Sequence, residues 1–257
     1  MNTHGEIEFL GTGTSTGVPL IGCNCDVCRS IDSKDKRLRA SAIVRINGIN
    51  ILIDCGPDFR EQMLRASSSK LDIALLTHSL YDHVGGVDDL RPYCYPEHFP
   101  IYAQQNVLDD LVARVPYCFY KNPYPGVPQF HLGVIDIDNP LYIDDIKIEA
   151  LPIWHHKLLI NGYKIGKHLA YITDAKTIDE NVLTQIVGID LLVINSLREP
   201  THMSHMSLSE TLSIIRKVNP KQTYLIHMSH DMGLHEEISQ KLPTGVSFAY
   251  DGLIVKF

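Results

Sequence analysis

Long apolar runs are missing from this chain. No stretch approaches the roughly 20 consecutive apolar residues of a membrane-spanning helix, so no membrane role is expected. An excess of basic residues is missing too. The 23 Lys and Arg stand against 30 Asp and Glu, a formal net charge of −7. Such a chain has no global attraction for a long nucleic acid or an anionic bilayer. The opening residues 1–8 (MNTHGEIE) lack the charged-then-apolar pattern of a secretory signal, and the chain reads as cytoplasmic. Repeats, low-complexity tracts and linkers are also lacking, so the 257 residues read as a single α/β domain over 1–257. With 44% hydrophobic and 21% charged residues, the chain can bury a core without disulfide staples.

A disulfide framework is the last absence. Cys55, Cys94 and Cys118 stand singly and read as buried small hydrophobes. Cys23, Cys25 and Cys28 are crowded too closely for a bridged scaffold. In a reducing compartment such a cluster reads as a metal site.

Short apolar strands alternate with helical stretches. Asn47-Gly48 between apolar runs at 42–46 and 49–53 is a hairpin signal. Further strands are expected at 6–10, 71–76, 147–153, 169–172, 191–194, 223–226 and 253–256. Several are apolar on both faces, as strands between two layers are. Thr177 with Glu180, and Ser207 with Glu210, have the spacing of capping boxes. The first should open a helix to about 187, the second a helix that Pro220 stops. Shorter helices are expected at 104–115 and 235–242. Residues 117–129 hold three prolines and three tyrosines and read as a surface loop, a lid or a homodimer contact.

The chemistry concentrates at strand ends. Residues 77–86 (THSLYDHVGG) come directly after the strand at 71–76, which puts His78, Asp82 and His83 in a loop at its carboxyl end, where α/β proteins tend to place sites. Two imidazoles and a carboxylate suit Zn²⁺, Mn²⁺ or Fe. Gly85-Gly86 should let the backbone turn tightly beneath them. His155, Asp174 and His227 each come after a strand of their own. A buried carboxylate needs a cation or hydrogen-bond donors, so this convergence points to a metal centre. His156, His168 and His235 read as surface residues.

This order of residues resembles the metallo-β-lactamase superfamily, beginning at residues 9–14 (FLGTGT) and running to the last strand. The resemblance implies an αβ/βα sandwich, two packed mixed β-sheets flanked by helices. It also implies that Asp54, in LIDCG at 52–56, supports the metal ligands. The run GCNCDVC at 22–28, with HMSH at 227–230, resembles the PhnP-type cyclic phosphodiesterases of phosphonate breakdown. That second resemblance implies an N-terminal zinc-binding loop at 22–28, with Cys23, Cys25, Cys28 and His230 holding one structural Zn²⁺. It further implies a catalytic centre of one or two divalent ions, Zn²⁺ or Mn²⁺. His78 and His155 would serve one site, Asp82, His83 and His227 the other, with Asp174 bridging. His205, in SHMS at 204–207, would give a proton to the leaving group. Asp82 counts as catalytic through the metal it holds. The implied activity is a metal-dependent hydrolase, a phosphodiesterase that cleaves small cyclic phosphodiesters through a metal-bound hydroxide, with a small phosphate ester as its partner.

The chain departs from the family at one position. The motif His-x-His-x-Asp-His has Leu80 as its middle residue here, and leucine offers no lone pair. A weakened hydrolase or a ligand-binding pseudoenzyme is the alternative that this leucine raises. A transfer-RNA-processing nuclease shares the FLGTG strand, but the chain shows no basic arm for it. A glyoxalase-type thioesterase is the other rival on this scaffold.

Overall fold

The computed structural model describes residues 5–257, so the first four residues of the opening segment lie outside the described residues. The first sheet takes β1 (Gly5–Gly11), β2 (Ser41–Ile46), β3 (Ile49–Ile53), β4 (Ile73–Leu75), β5 (Phe99–Ala103) and β6 (Phe130–Val134). The second takes β7 (Leu141–Ile143), β8 (Ile146–His155), β9 (Leu158–Ile165), β10 (Leu169–Ile172), β11 (Leu191–Asn195), β12 (Gln222–Ile226) and β13 (Val246–Phe248). β14 (Ile254–Lys256) returns to the first sheet beside β1. The spatial orders are β14-β1-β2-β3-β4-β5-β6 and β13-β12-β11-β10-β9-β8-β7. Each sheet is antiparallel on one side and parallel on the other. Asn47 (φ 50°) and Gly48 (φ 83°) turn the β2–β3 hairpin, both in the left-handed region that a two-residue I′ turn requires.

Alternation along the strands builds three apolar layers. Ile51 and Ile53 of β3, Tyr171 of β10 and Val193 of β11 pack between the sheets. Leu52 faces outward onto Phe59, Leu90 and Leu108. Ala170, Ile172, Leu192 and Ile194 face the other way, onto Val182, Ile215 and Ile238. Two sheets packed face to face with helices outside are the architecture the resemblance implied.

The helices are short: α1 (Asp26–Arg29), α2 (Phe59–Arg65), α3 (Tyr81–Val84), α4 (Gln105–Arg114), α5 (Glu180–Thr184), α6 (Leu208–Val218) and α7 (His235–Ser239). The capping box at Ser207 and Glu210 is present at the start of α6, and Asn219 closes that helix in the left-handed conformation. The box expected at Thr177 is not formed. Thr177 pairs instead with Trp154 in a bridge, and Asp179 occupies the N-cap of α5. Backbone pairing with Trp154, distant in sequence, took Thr177 out of reach of the helix. Among the described residues, no helix is long and apolar enough to cross a membrane.

Parallel strands ending at one edge bring the polar residues together. Asp54 comes after β3, Thr77 and His78 after β4, His155 ends β8, Asp174 comes after β10 and His227 after β12. Asp54 (φ 61°), Asp174 (φ 54°) and His227 (φ 59°) all adopt the left-handed backbone that non-glycine residues rarely take. Such strain collects at functional sites, and here it turns each side chain off its strand into a common space.

Candidate metal centres

Asp82 and His83 lie on α3 rather than in the expected loop. Leu80 is the N-cap of that helix and is 43% exposed. Gly85 and Gly86 do not supply a left-handed turn; a Cβ on Gly86 would meet Gly56 O at 2.0 Å. A Cβ on Gly56 would in turn meet Asp82 O at 2.1 Å. These glycines let α3 lie backbone against backbone on the turn that carries Asp54.

Five imidazoles close a ring around the Asp174 carboxylate. Ring centroids are 4.2 Å apart for His78–His83, 5.8 Å for His83–His227, 4.9 Å for His227–His205, 4.6 Å for His205–His155 and 6.0 Å for His155–His78. Asp174 Oδ2 is 2.9 Å from His83 Nε2, and its Oδ1 is 2.8 Å from His227 Nε2. Asp82 Oδ2 is 3.1 Å from His83 Nε2. Asp82, His83 and His227 form one cluster of ligand atoms, His78, His83 and Asp174 a second, and Asp174, His205 and His227 a third. His155 joins none of these triads, though its ring stays beside those of His78 and His205.

Neighbouring groups fix the tautomers. His83 Nδ1–H donates to Asp54 Oδ2 at 2.7 Å. The Thr77 hydroxyl gives its proton to Asp54, so it accepts from His78 Nδ1 at 2.9 Å. His155 Nδ1 donates to the carbonyls of Asp174 and Ser204, both at 2.9 Å. In each of these three imidazoles Nδ1 is the nitrogen engaged by the protein, which leaves Nε2 as the atom available to a metal, the arrangement seen in oriented ligands. Asp54 thus bonds the candidate ligand His83 directly and is linked to His78 through Thr77. Thr77 was not foreseen, although a hydroxyl directly before the first motif histidine was the available signal.

The donor set fits a divalent ion. His78 Nε2, His83 Nε2, His205 Nδ1 and both nitrogens of His227 are buried without a hydrogen-bond partner. Orphaned polar atoms are costly in a folded chain, and a cation removes that cost. Ligands at metal-bond lengths of about 2.0–2.1 Å stand roughly 2.9–3.4 Å apart, close to the His–carboxylate separations here. Electrostatics divides the ring: beside the carboxylates His83 and His227 are raised and favour a proton that an ion would have to displace, whereas His78 and His205 are lowered. Burial resists a charge on His227, but the Asp174 carboxylate outweighs it and raises the group to about 9. Burial also works against the Asp174 anion, yet His227 and His83 hold it well below the usual carboxylate range. His78 and His205 are pushed down to about 3, first by burial and then by His83 and His227 respectively. They are neutral, as ligands must be, and a neutral His205 is a weak proton donor until an anion joins it.

The second cluster is Cys23, Cys25, Cys28 and His230, with all four ligand atoms within 4.8 Å of one another. His230 Nδ1 lies 3.6 Å from Cys23 Sγ and 3.3 Å from Cys25 Sγ. A tetrahedron with Zn–S of about 2.3 Å and Zn–N of about 2.0–2.1 Å has S···N edges near 3.5 Å. The Cys28 amide, then His230, lowers Cys25 to about 6. All six cysteines are free thiols. Cys55, Cys94 and Cys118 are buried, as expected.

His235 corrects the surface reading made from sequence. It is buried, and its Nδ1 accepts from Arg37 at 3.0 Å. Arg37 also donates to Thr12 Oγ1 and Ala249 O, tying the N-terminal segment to the last strands. His168 is half-buried and bonds Asp190.

Residues 49–228 match the family described as a β-lactamase superfamily domain. An octanoyltransferase of Porphyromonas gingivalis is 46% identical over 95% of this chain, and the chain spans half the length of that relative. A crystal structure described as a new diphosphatase from the PhnP family superposes with a TM-score of 0.92 at 36% identity, covering 99% of this chain and 97% of that one. Zn²⁺-bound PqqB from Methylobacterium extorquens shares the fold, with a TM-score of 0.77 at 19% identity over 97% of this chain and 99% of that one.

Proposed function

The chain belongs to the β-lactamase superfamily and, within it, to the PhnP family, a metal-binding hydrolase fold; from that premise we propose that it is a metal-dependent phosphodiesterase acting on small, cyclic phosphodiesters. The observation that carries the reading is the ring of buried, unpartnered imidazole nitrogens around Asp174. Its donors are those of a divalent centre, and the 36% identical structure described as a PhnP-family diphosphatase supports a phosphate-containing substrate. His78, Asp82, His83, His155, Asp174 and His227 would hold one or two ions. Divalent ions supply positive charge for phosphate oxygens and make a water acidic enough to attack at neutral pH.

The protein's own groups do the rest. Asp54 and Thr77 hold His83 and His78 in register. His205, 12% exposed at its side chain, stands beside the centre to donate to the leaving oxygen. An arriving phosphodiester brings negative charge that strengthens a hydrogen bond from His205. Cys23, Cys25, Cys28 and His230 would hold a structural zinc that pins the N-terminal loop next to the strand end bearing His227.

A second reading has one observation in its favour. The 46% identical relative is an octanoyltransferase of twice this length, which makes an acyl thioester the competing substrate. The two readings separate when metal-loaded protein is given a 2′,3′-cyclic nucleotide and monitored by phosphorus NMR. Conversion of the cyclic resonance to a monoester supports the phosphodiesterase, and an unchanged resonance rejects it.

A further inference from the structure

Leu80 leaves the centre one imidazole short of the family's motif, and the structure offers a replacement at another point in the chain. His205 Nδ1 is buried without a hydrogen-bond partner and lies 3.5 Å from Asp174 Oδ1. It shares a cluster of ligand atoms with Asp174 and His227. Its ring fills the gap between His227 and His155, so the circle of imidazoles closes without a histidine at position 80. The backbone around it is pinned on both sides. Ser204 O accepts from His155 Nδ1 at 2.9 Å, and Met206 N donates to Ala175 O at 2.9 Å. His205 is thus held over the centre rather than free to swing at its rim.

We propose that His205 is a metal ligand in this chain, binding through Nδ1 beside Asp174 and His227 and making up the number of imidazole ligands lost with the histidine absent at position 80. A buried nitrogen facing a carboxylate oxygen without hydrogen-bond geometry needs something between the two, and a divalent ion meets that need. Ligation through Nδ1 leaves Nε2–H as the remaining donor. His205 then gives the leaving oxygen a hydrogen bond rather than a proton.

This inference rests on the metal-centre reading but not on the substrate, and metal binding tests it without turnover. Metal-free full-length protein is titrated with Mn²⁺, which thiolate sites disfavour, and monitored by calorimetry and electron paramagnetic resonance. The parent chain should bind two ions as a spin-coupled pair. His205→Ala should weaken the second ion by about 10–100-fold or more and abolish the coupled signal. His205→Gln, which keeps the bulk, should do the same. Leu80→His in the His205→Ala background should restore the pair. Two ions bound with parental affinity by both His205 variants would overturn the ligand role and leave the centre standing. No Mn²⁺ bound by the parent chain would overturn both the ligand role and the metal-centre reading.

Discussion

The Nδ1 of His83 lies 2.7 Å from Oδ2 of Asp54, and this contact orients the imidazole whose other nitrogen faces both Asp82 and Asp174. Asp54 is fully buried and also receives the amide and hydroxyl of Thr77. One carboxylate thereby sets the direction of His83 directly and of His78 through Thr77.

Asp54→Asn keeps the shape but weakens that control. Metal affinity should fall by about 10–100-fold, the usual loss when a group behind a ligand is changed. Competition with a chromophoric chelator measures it, and an unchanged affinity would show that Asp54 does not govern the ligands.

Cys25→Ser removes one donor from the thiolate cluster. Zinc content should drop by one equivalent and the thermal midpoint should fall, because metal bound only by the folded state stabilises it. Mn²⁺ binding at the imidazole ring should persist. Parental zinc content and midpoint in the variant would remove the structural role.

His235 makes stability fall in acid. Burial, then Arg37 and Lys34, lowers it to about 4 from an unperturbed 6.5. The unfolded chain therefore takes up a proton first as pH drops. The neutral folded form keeps its full advantage above about 6.5 and loses it as pH falls toward 4, by at most about 1.4 kcal/mol per pH unit. His235→Gln retains an acceptor for Arg37. Urea unfolding at pH 7 and pH 5 should show a smaller drop in the variant, and an equal drop would assign the acid sensitivity elsewhere.

Much of the fold could be read from the chain because its signals were local. Asn47-Gly48 fixes a turn by backbone conformation, and Ser207 with Glu210 fixes a helix start by reciprocal bonds. The strand β5 and the long strand β9 went unread, since β5 carries Pro100 and β9 has Asn161 and Gly162 at its middle. Asn161 is buried because its side chain bonds Gln104 and Ile135 O, partners far away in sequence. Thr177 and His235 misled for the same reason: their partners, Trp154 and Arg37, come from distant segments. The site residues were legible as strand-end His and Asp. Their mutual directions were not, because these depend on left-handed backbone at Asp54, Asp174 and His227 that nothing local announces.

Cleavage of bis(p-nitrophenyl) phosphate set against an octanoyl thioester, by one preparation with Mn²⁺ and with chelator, tests the phosphodiesterase assignment most directly. A metal-dependent phosphodiesterase should release p-nitrophenolate with metal, lose that activity with chelator, and hydrolyse little of the thioester. Metal-dependent thioester hydrolysis with the phosphodiester left intact would contradict the assignment.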